Sequence, residues 1–232
     1  MEITAVVVAR AGSKRIPSKS LLPLQGESLI TRKIKQLLQC ESIDRVVFGS
    51  DSLEMLEEAR KAGAEVVKRP DFYCNEDVAS ANDMIHNMCT LISTDIVVWA
   101  HCTNPLIQPA TYDKAVQIFL NNYPEYDSLL SVVELKEHLW DGVKPINYNP
   151  YAPKHTPARD LPPLYMQDGG IFIQRHKDML RNSYFFGNRP YLFQVPKEEF
   201  LDINDMRDYL LAKALLEEIT YYPILSNLTY FR

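Results

Sequence analysis

Residues 3–20 read "ITAVVVARAGSKRIPSKS". The first six are apolar or β-branched, too continuous for a strand with one wet face, and predict a strand buried on both sides of a sheet. The next twelve, Ala9 to Ser20, carry Arg10, Lys14, Arg15 and Lys19, and no acid stands between Glu2 and Glu27. A buried strand opening into a cationic turn points to an anion, because ligands of open α/β sheets bind at the carboxyl ends of strands.

Working outward, strand and helix patterns alternate. A helix over Leu29 to Gln39 puts Leu29, Ile30, Ile34, Leu37 and Leu38 on one face. "RVVFGS" reads as a strand, "LEMLEEARKAG" as a helix closed by Gly63, and "AEVVK" as a strand. Ser80 to Ile92 is helical, "DIVVWA" a buried strand, Thr111 to Asn121 a helix and "SLLSVV" a strand. This alternation implies a three-layer α/β fold on a parallel sheet. "HCTNP", following "DIVVWA", falls at the same end as the cationic turn.

Past Lys136 the texture changes. "KPINYNPYAPKHTPARDLPP" is rich in Pro, Asn and Tyr and has no helical period. Such a stretch is unusual inside a compact domain, so residues 136–168 are expected to form an extended arm packed on a second subunit. Order returns with "GGIFIQ", a short helix near His176 to Asn182, the strand "YLFQVP" and a helix from about Asp205 to Glu218. Residues 1–232 thus read as one domain with an arm. The closing "TYYPILSNLTYFR" has no assignment.

The chain has 232 residues and a net charge of −5, which argues against nucleic acid or an anionic membrane as partner. The cationic cluster is local and suits a small polyanion. No apolar run approaches the ~20 residues of a membrane span, and the N-terminus lacks the order of a signal peptide. Cys40, Cys74, Cys89 and Cys102 are not closely paired, so neither a zinc site nor a disulfide framework is expected. They read as small buried residues of a cytoplasmic protein.

The cationic turn is not a Walker loop: Pro17 stands five residues after Gly12, has no N–H for a phosphate, and Lys19-Ser20 arrives one residue late. With one glycine it is not a dinucleotide fingerprint either. It still has the means to hold a triphosphate. Gly12 and Ser13 let backbone N–H groups face a ligand, while Arg10 and Lys19 reach its charged oxygens.

"ARAGSKRIPSKS" resembles the signature of the acylneuraminate cytidylyltransferases, A-R-G-G-S-K-R-I-P-x-K-N. "FGSDS", "KRPDFYCNEDVAS", "DLPPLYMQDGGIFI" and "LDINDMRDYLLA" resemble further motifs of that family, in the same order. The resemblance implies a three-layer Rossmann-like nucleotide-diphospho-sugar transferase fold with a mostly parallel sheet, and a reaction joining CTP to a nine-carbon keto sugar acid, with release of pyrophosphate. It implies Mg²⁺, a homodimer and a product used for surface glycans. Carried over, Arg10 and Lys19 contact the triphosphate with Gly12, Ser13 and Lys14; Arg69 and Ser80 read cytosine or hold its ribose. Asp202 binds metal, with Asn204 beside it, and Lys19, Arg10 and Asp202 carry the chemistry.

Several positions depart from the family pattern. Ser20 replaces a base-reading Asn and offers a hydroxyl instead of an amide. His101 replaces a sugar-contacting Gln: either an altered sugar is bound, or a ring nitrogen makes the same polar contact, and a substrate-positioning or packing histidine is favoured over a general base. Asn204 replaces the second carboxylate of D-x-D, an uncharged ligand at best, with Asp205 as a substitute; either also suits a helix N-cap. Asp168 replaces an Asn, and with Phe172, Phe185 and Phe186 is expected at the sugar pocket. Arg159, in the arm, is the candidate for the sugar carboxylate. The rival readings are an octulosonate (Kdo-type) cytidylyltransferase, a glycosyltransferase, which would want a D-x-D after a central strand, and a non-catalytic nucleotide-binding protein.

Overall fold

A buried strand needs partners on both edges, and Ile3–Val8 (β1) has them. The structure, a computed structural model, describes residues 1–221 and side chains as far as Glu217. The role of the closing segment 220–232, left without assignment, falls almost wholly outside them.

After β1 come a short hairpin of Pro23–Leu24 (β2) and Glu27–Ser28 (β3), helix Leu29–Leu38 (α1), strand Arg45–Ser50 (β4), helix Leu53–Lys61 (α2) and strand Glu65–Lys68 (β5). Helix Ala81–Thr90 (α3), strand Ile96–Ala100 (β6), helix Pro109–Asn122 (α4) and strand Ser128–Leu135 (β7) follow. The chain then runs through strand Leu164–Arg175 (β8), helix His176–Asn182 (α5), strand Pro190–Gln194 (β9) and helix Met206–Tyr221 (α6). Local chemistry sets the boundaries. Ser28 and Ser52 cap α1 and α2 through their hydroxyls, and Gly63, at φ +104°, takes the left-handed position after α2.

Among the described residues the main sheet has the order β5-β4-β1-β6-β8-β7-β9. Alternate residues of β1 enter opposite cores. Ala5 and Val7 pack with α1, α2, α4 and α6, whereas Val6 packs with Ile85 and Met88 of α3 and Met179 of α5. The expected three layers follow from that alternation.

The sheet is mostly parallel, as expected, with β8 antiparallel between β6 and β7. β8 is the return strand of a long hairpin from β7, and Leu135 pairs with Leu164. The expected arm therefore shortens, because residues 164–168 belong to the sheet. On α1, Leu38 is exposed and Lys33 takes the buried position beside Leu29 and Leu37.

Among the described residues, no helix is long and apolar enough to cross a membrane. All four cysteines are free and buried.

Candidate functional site

At the carboxyl ends of β1, β5 and β6 lies a cleft of about 340 Å³. Arg10, Ser13, Lys19 and Ser20 line one wall, Arg69, Tyr73, Glu76 and Ser80 the opposite one, and His101, Cys102 and Thr103 lie between them.

The cationic turn is held by its backbone, which leaves its side chains to solvent. Ala9 N donates to Gly49 O (3.2 Å) and Ala11 N to Asp51 Oδ1 (3.1 Å). Ile16, 5% exposed, plugs the turn into the core. Around these fixed points the cations find acids that the sequence alone did not place there. Arg10 donates to Glu76, and Lys14 pairs with Asp77 and, at 3.4 Å, with Glu76. The hydrogen bond from Arg10 holds the Glu76 carboxyl below the usual range, while the bond to Asp77 raises the Lys14 ammonium. Gly12 does not line the cleft, and a Cβ added there would meet only open space.

Lys19 is engaged differently. Its Nζ donates to Ile203 O at 2.8 Å, and Ile203 N donates to Thr103 O at 2.8 Å. The stretch before α6 is thereby strapped to both the cationic turn and the loop after β6. In that stretch Asn204 Nδ2 donates to Asp202 Oδ2 at 2.8 Å. Asp205 accepts from Arg207 N and Asp208 N at the start of α6, so the capping role falls to Asp205 and not to Asn204.

Arg69 is 2% exposed and donates to Asn87 Oδ1 (3.3 Å) and to Tyr73 O (3.1 Å). Burial lowers its pKa, yet a guanidinium keeps its charge. It packs so closely on Gly49 that a Cβ there would lie 2.8 Å from Arg69 Cδ. Ser80 caps α3 reciprocally with Asp83 and turns its backbone toward the cleft. Ser20 is buried, and its Oγ accepts from Cys102 Sγ at 3.4 Å.

The residues expected around the sugar separate. His101 lines the cleft, but its Nδ1 is 2.7 Å from Gly169 O and its Nε2 takes the Trp99 indole N–H at 3.2 Å. Both ring nitrogens are engaged by the protein, which favours the positioning or packing reading over a polar contact through a ring nitrogen. Burial pushes its pKa below that of an ordinary imidazole. Asp168 is 5% exposed beneath the cleft and accepts from the Ser131 hydroxyl and from Gly170 N (3.1 Å). Burial raises its pKa, the largest of several influences.

Phe172, 1% exposed, belongs to the core under Phe185, their rings stacked at 4.6 Å, because its place on β8 points it inward. Phe185 and Phe186 are half-buried, and Phe185 meets His101 edge-on at 5.9 Å. Arg159 stands on the arm with its side chain 85% exposed, 3.7 Å from Asp160, and does not line the cleft of its own chain.

Sequence reasoning missed Glu76 and Asp77, although both stand in a motif it had quoted; no local pattern says that they face Arg10 and Lys14. It also missed Lys33, whose spacing from Leu29 and Leu37 puts it on the apolar stripe of α1. Among the described residues, no three His, Cys, Asp or Glu side chains gather as a metal cage. Asp202 with an adjacent amide suits a Mg²⁺ that draws its other ligands from phosphate and water.

Comparison with known proteins agrees with the geometry. A family model described as "Cytidylyltransferase" matches residues 4–222. The chain is similar to the CMP-N,N'-diacetyllegionaminic acid synthase of Legionella pneumophila, 30% identical, covering 94% of this chain and 97% of the relative. It is similar also to the pseudaminic acid cytidylyltransferase of Campylobacter jejuni, 27% identical, covering 93% and 96%. Among solved structures, a CMP:2-keto-3-deoxy-manno-octonic acid synthetase complexed with CTP superposes with a TM-score of 0.67 at 16% identity, covering 94% of this chain and 99% of the other, a likeness of fold.

Proposed function

This chain belongs to the cytidylyltransferase family, and from that premise we propose that it joins CTP to a nonulosonic acid of the sialic, legionaminic or pseudaminic type. The products are the CMP-sugar and pyrophosphate. The anomeric hydroxyl oxygen forms a bond to the α-phosphorus, and the bond from that phosphorus to the α,β-bridging oxygen breaks. Pyrophosphate leaves with the electron pair, and the hydroxyl proton passes to solvent.

The observation that carries this reading is the bond from Lys19 Nζ to Ile203 O. It ties Lys19 to the residue after Asp202, which supports a reading in which both act on the charge that develops on the attacking, bridging and leaving oxygens. In this reading Arg10 and Lys19 hold the triphosphate, with Ser13 and the backbone near Gly12. Ser20, Arg69 and Ser80 flank the nucleoside. Asp202 holds Mg²⁺, with Asn204 orienting its carboxylate; the ion neutralises phosphate charge.

The test is pyrophosphate release from each nucleoside triphosphate against a panel of nonulosonic and octulosonic acids, with and without Mg²⁺. Release with CTP and a nonulosonate, dependent on Mg²⁺, is expected. Release with an octulosonate alone would move the assignment to the Kdo type.

The arm supports a homodimer. Trp140, Val143, Ile146 and Tyr151 are all exposed on a single chain, Tyr151 to 92%, an apolar surface that suits a second copy. Arg159 would then serve the partner's cleft. A solution mass of two chains is expected, and a monomer would remove this part of the proposal. The free thiols suit a cytoplasmic location.

A further inference from the structure

We propose that Trp99 and Gly169 fix His101 as the neutral ring protonated on Nδ1, making it a positioning residue that ties the end of β6 to the glycine turn of β8. In that state it neither takes a proton from the substrate nor ligates a metal.

The argument needs only one-way partners. An indole N–H donates and cannot accept, so the Trp99 contact at 3.2 Å requires the lone pair on His101 Nε2. A carbonyl accepts and cannot donate, so Gly169 O, 2.7 Å from Nδ1, requires the ring proton there. Together they select one of the two neutral tautomers. A second proton would have to sit on Nε2, against the indole N–H.

The surroundings keep the ring in this pose. Trp99 is fully buried, and the rings of Phe172 and Phe185 meet His101 edge-on at 6.1 and 5.9 Å. Gly169 holds a left-handed φ of +75°, which directs its carbonyl at the imidazole and is open to few residues besides glycine. Of the charged groups acting on the ring, Asp202 and Asp168 favour a proton and Lys19 opposes it, while burial outweighs all three. What His101 offers the cleft is therefore ring carbon.

The role matters for the reaction because Gly169 lies on the turn that carries Asp168 and Gly170. Asn104, three residues after His101, donates to Asp168 O at 3.0 Å and to Leu201 O at 3.4 Å. The imidazole and that amide form two rungs between the loop after β6 and the turn of β8, and the second rung reaches the residue before Asp202.

The decisive experiment is a long-range ¹H–¹⁵N spectrum of the imidazoles in the intact, uniformly labelled protein without ligands. A protonated Nδ1 and a bare Nε2 at His101, unmoved between about pH 5 and 8, are expected. An Nε2–H tautomer, or a ring that ionises in that range, would overturn the proposal.

A kinetic arm rests on the reaction proposed above, so its failure is distinguishable from that of the spectrum. His101→Gln can still donate to Gly169 O and accept from Trp99, whereas His101→Phe can do neither. The Gln variant is expected to keep about tenfold more turnover than the Phe variant, the worth of one or two hydrogen bonds. Both should retain the wild-type shape of the pH–rate profile. Equal losses, or a limb of the profile missing in either variant, would overturn the proposal, since a general base costs about 10²–10⁴-fold. If His101→Phe does not fold, the wild-type spectrum still decides.

Discussion

The turn from Arg10 to Ser20 and the stretch from Asp202 to Asp208 touch through one hydrogen bond, yet they are built in opposite ways. In the turn, the side chains of Arg10, Lys14, Glu76 and Asp77 reach solvent, 56% and 65% exposed for the Lys14–Asp77 pair. Pairs so exposed contribute little to stability, so in the proposed reaction an incoming polyphosphate displaces them at little cost. The aspartate stretch is a closed web: Asp208 accepts from Asn204 N (2.8 Å) and Asp205 N (3.1 Å), and Asn204 pins Asp202. The cations of the turn are thus exchangeable, and the Asp202 carboxylate is held.

Experiments that break the fixed side should have the largest effect. Asp202→Ala is expected to lower turnover by on the order of 10²–10³-fold, as for loss of a preorganised electrostatic contact. Near-normal pyrophosphate release from it would mean that the web aims at nothing. Lys19→Met, which cuts the bond to Ile203 O, should cost on the order of 10²-fold with an unchanged circular-dichroism spectrum. Normal release would confine Lys19 to a structural strap.

The exchangeable side should answer more mildly and in the opposite sense. Glu76→Gln frees Arg10, so KM for CTP should fall, by about fivefold at most. A rise would show that Glu76 helps to hold the nucleotide. Asn204→Asp tests whether the web limits metal affinity. A second carboxylate beside Asp202 should lower the Mg²⁺ concentration for half-maximal rate by about a few-fold, and an increase would assign Asn204 to positioning alone.

The smallest effect on turnover is expected at α1, where Lys33 is buried and, among the described residues, donates to Tyr112, Nζ to Oη at 2.8 Å. Burial pushes its pKa from 10.5 down to about 7. Between those values the unfolded chain binds more protons than the folded one, so stability rises with pH across that window. Lys33→Met removes the term. Its gain over wild type should be largest below about pH 7, on the order of a few kcal/mol, and should fade toward about pH 10.5. Urea melts at low and high pH measure it, and a gain independent of pH would show that folding leaves the Lys33 pKa unshifted.

Much of this molecule is a one-residue-at-a-time property and is legible in the sequence. The continuous apolar runs of β1, β4 and β6 and Gly63 mark the elements, because whether a residue faces core or water leaves a period in the chain. The same logic put the cationic turn at the mouth of β1. The motif around Arg69 pointed to a further part of the cleft lining.

Which residues meet is a two-residue property, and the tertiary structure alone decided it. Arg10 and Glu76 are 66 positions apart, and Lys19 and Ile203 are 184 apart. No local period encodes those separations; they follow from the order of strands in the sheet and from β8 entering it antiparallel between β6 and β7. That insertion brings Gly169 against His101 and Phe172 beneath Phe185. A histidine and a phenylalanine that the sequence offered as sugar contacts thus became a fixed bridge and a core ring, because the burial they gain depends on their neighbours in space.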